Sequence, residues 1–173
     1  WKHKPFEIPK NILNEWKKIG RKGVKLESNW NKTYKRKKQA IDKVLKNNFS
    51  KAIKSEKQNA IKENKSIASR KASELTLNTL TKDGNTLIGG SADLAGSNNT
   101  KTRYHNIIKP GNFNGDYIHY GVREHAMSGI MNGLALHSKF IPYGGTFLIF
   151  SDYCKPSIRL SALMEQRVIY VMT

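Results

Sequence analysis

Glu124 stands at the junction between a predicted strand and a predicted helix. Residues 117–120 are rich in aromatic side chains, Gly121 breaks that strand, and apolar side chains follow at helical spacing. An acidic side chain among core-forming residues at the end of a strand is typical of α/β enzyme sites, because ligands bind at that edge of the sheet. Glu124 is therefore the candidate catalytic residue. The predicted apolar face of the helix comprises Ala126, Met127, Ile130, Met131, Leu134 and Ala135.

Two further glycine-rich segments follow predicted strands. Residues 89–93 read Gly-Gly-Ser-Ala-Asp and residues 144–147 read Gly-Gly-Thr-Phe, and each is expected to form a break after its strand. In a parallel sheet all such breaks lie at one edge, where glycine lets the backbone approach a ligand closely. Spacing alone thus supports an α/β ligand-binding domain and nothing more specific.

The elements that position these segments alternate between helix and strand from about residue 66 onwards. Such alternation predicts a mostly parallel sheet with helices on both faces. The first helix is expected to turn Ala68, Ala72, Leu75 and Leu80 inward, and Pro142 fits an edge or strand-end position. The predicted elements are helix 67–80, turn 83–85, strand 86–89, polar loop 95–115, strand 117–120, helix 123–137, strand 140–143, helix 146–164 interrupted at Pro156, and strand 168–171.

Positive charge is concentrated in residues 1–65, which carry 20 Lys and Arg against 6 Asp and Glu. A short helix over residues 10–18, ended by Gly20 and Gly23, and a longer helix from about Asn29 are predicted there. Their apolar positions are sparse. So thin an apolar stripe indicates an arm that lies on another domain and has no core of its own.

Composition narrows the possible partners. A basic excess is compatible with nucleic acid or an anionic membrane, and residues 35–38, Lys-Arg-Lys-Lys, are the best candidate for such a contact. We favour a solvated helix face, because no nucleic-acid signature and no interleaved aromatic residues accompany the run. No apolar run reaches the length of a membrane span. We therefore expect neither a membrane nor a nucleic-acid partner.

The residues that most often bind metals or form disulfides give few signals. Cys154 is the single cysteine, so an internal disulfide is excluded, and we expect it to be a packed small residue. His105, His119 and His137 show no metal-ligand spacing. No metal ligand is predicted in this chain.

Four motifs occur in the order in which they occur in transketolases, and the chain resembles that family. Residues 1–16 resemble the family's connector, residues 66–173 resemble most of its pyrimidine-binding domain, and residues 20–65 match loosely. The resemblance implies a basic helical arm over residues 1–65, followed by a C-terminally truncated, three-layer α/β/α thiamine-diphosphate-binding domain over residues 66–173. The motifs are residues 67–73, 89–94, 117–127 and 143–147.

The resemblance makes Glu124 the acid that activates thiamine diphosphate. In such enzymes a carboxyl group shares a proton with N1′ of the aminopyrimidine, which favours the tautomer that deprotonates C2 of the thiazolium. The first turn of a helix favours the ionised carboxylate, whereas burial beneath the cofactor ring favours the neutral acid. A poised acid needs the two effects to be similar in size. The implied reaction transfers a two-carbon ketol unit from a ketose phosphate to an aldose phosphate.

Three aromatic residues match the family's pocket for the aminopyrimidine. Phe147, Phe150 and Tyr153 are spaced three apart at a helix start, and Phe150 is the best candidate for stacking on the ring. Without the resemblance, a plain core stripe would explain the same spacing.

Three polar residues match family positions near the substrate. Asp93 would lie near the thiazolium and the substrate channel, while Arg70 and Ser97 would hold the phosphate of the sugar, which an Arg fork and a hydroxyl suit. By themselves the three residues would be interpreted as an Asx turn, a solvated helix residue and a loop serine.

The resemblance also implies parts of the site that this sequence lacks. The family's diphosphate and metal site is expected before Trp1, so Mg²⁺ or another divalent cation would have its ligands outside this chain. Both ends look like cuts, and further substrate-binding residues are expected after Thr173. We expect a cytoplasmic homodimer of the pentose phosphate pathway with its active site at the subunit interface, and an isolated fragment without activity. The implied substrates are sugar phosphates of the xylulose 5-phosphate and ribose 5-phosphate class.

Other functions remain open on the sequence alone. One is another thiamine transferase, such as dihydroxyacetone synthase or deoxyxylulose phosphate synthase; His125 after the acid and the segment 144–147 favour transketolase over the latter. A second is a non-catalytic module that binds nucleic acid through residues 21–65. A third is one half of a split transketolase, against which an end at Thr173, inside the domain, argues.

Overall fold

The computed structural model describes residues 1–45, 49–82 and 86–173. The chain divides into two compact units, Trp1–Val44 and Leu45–Thr173. The turn predicted at residues 83–85 lies outside the described residues.

The first unit consists mainly of one long helix, α1 (Lys10–Val44). The prediction of two helices separated at Gly20 and Gly23 was wrong, because α1 continues through both glycines. A glycine costs a helix interior only about 1 kcal/mol relative to alanine. In a helix of 35 residues the hydrogen-bonded turns on either side outweigh that cost.

Helix α1 carries its apolar side chains at helical spacing, and within its own unit they are exposed. Trp16, Ile19 and Trp30 are 70%, 62% and 57% exposed, and the rings of Trp30 and Tyr34 stack with centroids 5.0 Å apart. The thin apolar stripe inferred from the sequence is thus present. Among the helices of the described residues, none combines the length and the apolar character that crossing a membrane requires.

The second unit is built on one parallel sheet. Strand β1 (Leu87–Ser91) pairs with β2 (Tyr117–His119) and with β3 (Ile141–Thr146), and β3 pairs with β4 (Ile169–Met172). The strand order is therefore β2-β1-β3-β4, and every pairing is parallel. This confirms the predicted parallel sheet. Strands β1 and β3 are buried along their whole length, as their central positions require.

Pro142 lies at one of its two predicted positions, whereas Pro156 does not interrupt its helix. Pro142 is the second residue of β3, an interior strand, so the edge position was wrong and the strand-end position was right. Helix α5 begins after one 3₁₀ turn (Leu148–Phe150) and continues through Pro156, so the predicted interruption was also wrong. The helix loses one N–H hydrogen bond there. The four helices of this unit are α2 (Phe49–Glu63), α3 (Ser69–Lys82), α4 (Glu124–His137) and α5 (Ser151–Leu163).

Neighbouring residues of β3 show that helices cover both faces of the sheet. Successive side chains of a strand point to opposite faces. Tyr143 packs in one buried cluster with Leu77 of α3, whereas a Cβ on Gly144 would stand 2.6 Å from the sulfur of Met131 in α4. The unit therefore has three layers, with α3 on one face and α4 on the other, as the fold class predicted.

The buried faces of two helices are rotated from the predicted ones. In α3 Leu77 and Thr81 are buried and Leu80 is half-buried, whereas Ala68, Ala72 and Leu75 are exposed. In α4 Met127 and Met131 are buried as predicted. Their buried neighbours, however, are the polar residues Ser128 and Asn132, and the predicted Ala126 and Ile130 are exposed.

Hydrogen bonds explain why polar side chains lie inside α4. Ser128 Oγ donates to Glu124 O at 2.9 Å, and Asn132 Nδ2 donates to Ser157 O of α5 at 2.9 Å. A buried polar group that is hydrogen-bonded escapes the desolvation penalty that would otherwise keep it at the surface. An analysis by apolar periodicity cannot detect such partners.

The glycine pairs are parts of strands, so their assignment as breaks was wrong. Gly89 and Gly90 belong to β1, and Gly144 and Gly145 belong to β3. At Gly145 a Cβ would stand 2.5 Å from Thr100 Cγ2 and 2.9 Å from the Asn98 amide. Glycine is needed there because residues of the polar loop pack directly on the strand.

The loop between β1 and β2 is anchored by a buried histidine. The Thr102 N–H donates to His105 Nδ1 at 2.9 Å, so His105 Nε2 carries the proton and donates to Tyr143 Oη at 3.0 Å. Tyr143 Oη in turn donates to Thr100 O at 2.7 Å. Burial lowers the pKa of His105, partly opposed by the nearby charge of Asp116. The imidazole is therefore neutral in the folded protein.

We predict that His105 makes stability depend on pH. Because its folded pKa lies below the ordinary value of 6.5, the unfolded chain takes up the proton first, and stability should fall as pH decreases below about 6.5. Above that pH the stabilisation is complete. His105→Gln should flatten this slope, measured as the free energy of unfolding in urea at pH 5.0 to 7.5. The exposed His137 provides the control, since His137→Gln should keep the slope, and equal slopes for the unmodified protein and His105→Gln would contradict a buried neutral imidazole.

Candidate active site at the carboxyl edge of the sheet

The carboxyl ends of the parallel strands meet at one edge of the sheet. Asp93 follows β1, Glu124 follows β2 and Phe147 follows β3. Ligands of open parallel sheets bind outside the carboxyl ends of the strands. The topology therefore brings these three candidate residues to the edge that most often holds a ligand.

Glu124 is an almost buried carboxylate at the start of a helix. It is the first residue of α4 and is 8% exposed. Within the described part of the chain its carboxylate has no hydrogen-bond or ion-pair partner. A helix N-terminus favours negative charge, but a buried acid without a partner is costly unless a ligand or another chain supplies one. Glu124 therefore has the environment of a group whose partner binds from outside this chain.

A tight turn sets the direction in which α4 begins. Gly121 has φ +68°, and Arg123 folds back so that its Nη1 donates to Tyr120 O at 2.9 Å. A Cβ on Gly121 would stand 2.7 Å from Arg123 Nη1. Both the positive φ and the close guanidinium require glycine there. The turn in this way determines where Glu124 stands relative to β2.

Three aromatic rings form a row after β3. The ring centroids of Phe147 and Phe150 are 5.8 Å apart, and those of Phe150 and Tyr153 are 6.1 Å apart, with both pairs inclined by 31°. Phe147 and Phe150 are half-buried, whereas Tyr153 is 63% exposed. Phe147 also lines an open cleft of about 540 Å³. A row that is only partly buried can bind a planar ligand and is not a closed core stripe.

Cys154 follows Tyr153 in α5, and its thiol is within range of the charge of Glu124. Its thiol is buried, which confirms the expected packed residue. Burial is the main cause that raises the pKa of this thiol, and the charge of Glu124 raises it further. Since Cys154 follows Tyr153 directly in α5, the charge of Glu124 acts on the helix that carries the last of the three rings.

The remaining candidates are exposed. Asp93 has φ +61°, a left-handed conformation that Asp adopts more readily than most residues. Ser97 lies four residues further along the same loop, and Arg70 lies in the first turn of α3. No hydrogen bond within the described residues joins Arg70 to Ser97. In the same residues no group of three His, Cys, Asp or Glu side chains could hold a metal ion.

Buried polar residues beside the site were missed by the sequence analysis. Asn98, Thr100 and Thr102 are at most 2% exposed, although they belong to a segment identified only as a polar loop. An Asn- and Thr-rich stretch looks the same whether its side chains are solvated or hydrogen-bonded inside the protein. The signal that could have found Asn98 and Thr100 is Gly145 of β3, which leaves space for both side chains but lies far along the chain.

Comparison with known proteins identifies the family. A family model described as "Transketolase, pyrimidine binding domain" matches residues 65–173. The chain belongs to the transketolase family. It is 42% identical over its whole length to a transketolase of Sinorhizobium medicae and to one of Cereibacter sphaeroides, of which it covers 26% and 27%. The chain thus spans about a quarter of the length of these transketolases.

Solved transketolase structures have the same fold as this chain. A transketolase of Pichia stipitis in complex with sedoheptulose-7-phosphate is 30% identical and superposes with a TM-score of 0.69, covering 98% of this chain and 27% of the other. A transketolase of Leishmania mexicana is 30% identical, with a TM-score of 0.66 over 98% of this chain and 26% of its own. These matches include the basic segment, which the sequence analysis related to the transketolase connector.

We predict that the turn before Glu124 does not tolerate a side chain at Gly121. Gly121→Ala should lower the free energy of unfolding by about 1–2 kcal/mol, because a left-handed conformation is strained for any residue with a Cβ, and Arg123 must move. Urea unfolding measures the loss. Gly129→Ala in α4 is the matched control: no atom lies within 4 Å of its Cβ position, and the change should stabilise the helix by up to about 1 kcal/mol. Equal stability of the two variants would contradict the strained turn.

Proposed function

We propose that this chain supplies the aminopyrimidine site of a transketolase that transfers a two-carbon ketol unit from a ketose phosphate to an aldose phosphate. The observation that carries the proposal is the almost buried Glu124, whose carboxylate lacks a partner within the described residues and lies at the same sheet edge as Phe147. Membership of the transketolase family supports it. The other thiamine transferases and a nucleic-acid-binding module receive no such support.

The residues of this edge fit thiamine diphosphate. Glu124 would accept a hydrogen bond from, or share a proton with, N1′ of the aminopyrimidine, which satisfies the carboxylate that is otherwise unpaired. Phe150 would stack on the ring, with Phe147 and Tyr153 beside it. When bound, the cofactor supplies a carbanion at C2 and an electron sink for the cleavage of the ketose. The contribution of the chain is to bind the ring, exclude water from it and hold one proton at Glu124.

The exposed polar residues of the edge suit the substrate. Arg70 would pair with the phosphate of the sugar, Ser97 would donate a hydroxyl to it, and Asp93 would face the reacting end. Transketolases of Pichia stipitis have been solved in complex with sedoheptulose-7-phosphate, fructose-6-phosphate and xylulose-5-phosphate. Sugar phosphates of this class are the proposed substrates.

The proposed assembly is a homodimer in which the second subunit and the rest of the protein complete the site. Leu148, Ile149 and Tyr153 are 64%, 71% and 63% exposed beside the candidate site. An exposed apolar patch at a functional edge is typical of an interface. In this assembly residues 66–173 form the pyrimidine-binding domain and residues 1–65 the connector. A divalent cation would be bound by residues outside this chain, the location would be cytoplasmic, and the isolated chain would be inactive.

We predict that Glu124→Gln abolishes most of the activity of the full-length protein. Ketol transfer from xylulose 5-phosphate to ribose 5-phosphate should depend on thiamine diphosphate and fall by about 100-fold or more, because the amide cannot exchange a proton with the ring. A coupled assay with saturating cofactor measures the rate. Glu74→Gln, at a half-buried acid paired with Lys71, should keep full activity. Transfer that survives in Glu124→Gln would remove this residue from the mechanism, and no transfer in the unmodified, cofactor-loaded protein would refute the proposed function.

We predict that Arg70 discriminates phosphorylated from unphosphorylated substrates. Arg70→Ala should raise KM for a ketose phosphate by roughly tenfold to a hundredfold, since charge-assisted hydrogen bonds to the phosphate are lost. KM for an unphosphorylated ketose should change little, and so should kcat. Steady-state kinetics with both substrates provide the measurement, with Lys71→Ala as the neighbouring cation for control. An equal effect on both substrates would show that Arg70 does not read the phosphate.

A further inference from the structure

The first part of the loop between β1 and β2, which carries Asp93 and Ser97, is tied at two points to the end of β3. At its start Ser91 Oγ accepts from the Leu94 N–H at 3.1 Å and donates to Gly145 O at 3.2 Å. The Ala92 N–H donates to the same carbonyl at 3.0 Å. The first residues of the loop are therefore fixed to the strand that leads to Phe147.

Asn98 provides the second tie, just after Ser97. Its side chain is fully buried, and one orientation of the amide satisfies all of its neighbours. In this orientation Nδ2 donates to Leu94 O at 2.6 Å and to Thr100 Oγ1 at 3.1 Å, while Oδ1 accepts from the Thr146 N–H at 3.1 Å. One side chain thus joins Leu94 and Thr100 of the loop to Thr146, the residue before Phe147.

The side-chain amide of Asn98 is closely packed against β3. Gly145 lacks the side chain that would occupy the space of Asn98 and Thr100, and Thr100 Oγ1 lies 2.9 Å from the buried Tyr117 Oη. A buried amide with three satisfied hydrogen bonds is held rigidly, because breaking any of them leaves an unpaired polar group inside the protein.

We propose that Ser91 and Asn98 are positioning residues that hold the substrate-facing loop in register with the cofactor-binding row. Neither side chain would touch substrate or cofactor. Together they determine the separation between Asp93 and Ser97 on one side and Phe147 on the other. The proposal rests on the proposed function for the roles of those residues, whereas the clamp itself consists of the hydrogen bonds described above. Because Ser97 is the proposed contact to the phosphate, a displaced loop would bind the ketose phosphate less well, so the clamp would act on substrate binding.

The test compares two buried asparagines in the full-length protein. Asn98→Ala removes the three hydrogen bonds that the side-chain amide makes to Leu94, Thr100 and Thr146. Asn132→Ala is the matched control, because Asn132 is 6% exposed and bridges α4 to α5 through Ser157 O and Ser161 Oγ. Hydrogen exchange of the backbone amides and steady-state kinetics are measured on both variants.

The expected result is specific to Asn98→Ala. Exchange at the amide of Thr146, which loses its acceptor Asn98 Oδ1, should become about tenfold faster or more, and KM for a ketose phosphate should rise by about tenfold with a smaller change in kcat. Asn132→Ala should lose stability but keep both quantities. The clamp is refuted if exchange and KM stay unchanged in folded Asn98→Ala, or if both variants change alike.

Two further outcomes also decide the question. If Asn98→Ala does not fold, Ser91→Ala removes only the first tie; faster exchange at the Leu94 amide is then expected, and unchanged exchange overturns the proposal. If the unmodified protein shows no cofactor-dependent ketol transfer, the proposed function fails by itself. Hydrogen exchange needs no turnover, so it still supports or refutes the clamp.

Discussion

Parallel pairing of four strands is the constraint on which the rest of the structure depends. Because β1, β2 and β3 run in the same direction, whatever follows each of them emerges at one edge. Residues that are distant in sequence, such as Asp93, Glu124 and Phe147, are in this way brought to the same edge of the sheet. The helices return the chain to the opposite edge, so they carry few of the candidate groups except in their first turns.

Close approach of both layers to β3 provides the second constraint. Its glycines leave room for the sulfur atoms of α4 on one face and for the buried loop amide of Asn98 on the other. Because β3 has glycines at these positions, the loop that contains Asn98 and the helix that begins at Glu124 both pack directly on this strand. A side chain at Gly144 or Gly145 would push a layer outward, because protein interiors are too well packed to absorb the added volume.

The interior of the domain contains many polar groups, and nearly all of them are paired. His105 is neutral because Thr102 donates to one ring nitrogen and burial disfavours its charge. Glu124 is the contrast: it is almost as buried, and it has no partner within the described residues. Among the described residues the buried hydroxyls of Tyr120 and Thr146 also lack a partner, but Glu124 is the one carboxylate among these three groups, and an almost buried carboxylate without a partner is typical of a functional site.

The sequence by itself determined the alternation of elements, the parallel sheet and the identity of the family, because strand and helix periods and short motifs are local signals. The tertiary structure decided which side of each helix is buried, that the glycine pairs lie inside strands, and that α1 continues through Gly20 and Gly23. It also decided that Asn98 and His105 are buried. These features depend on partners far along the chain, and a hydrogen bond between distant residues leaves no periodic trace in the sequence.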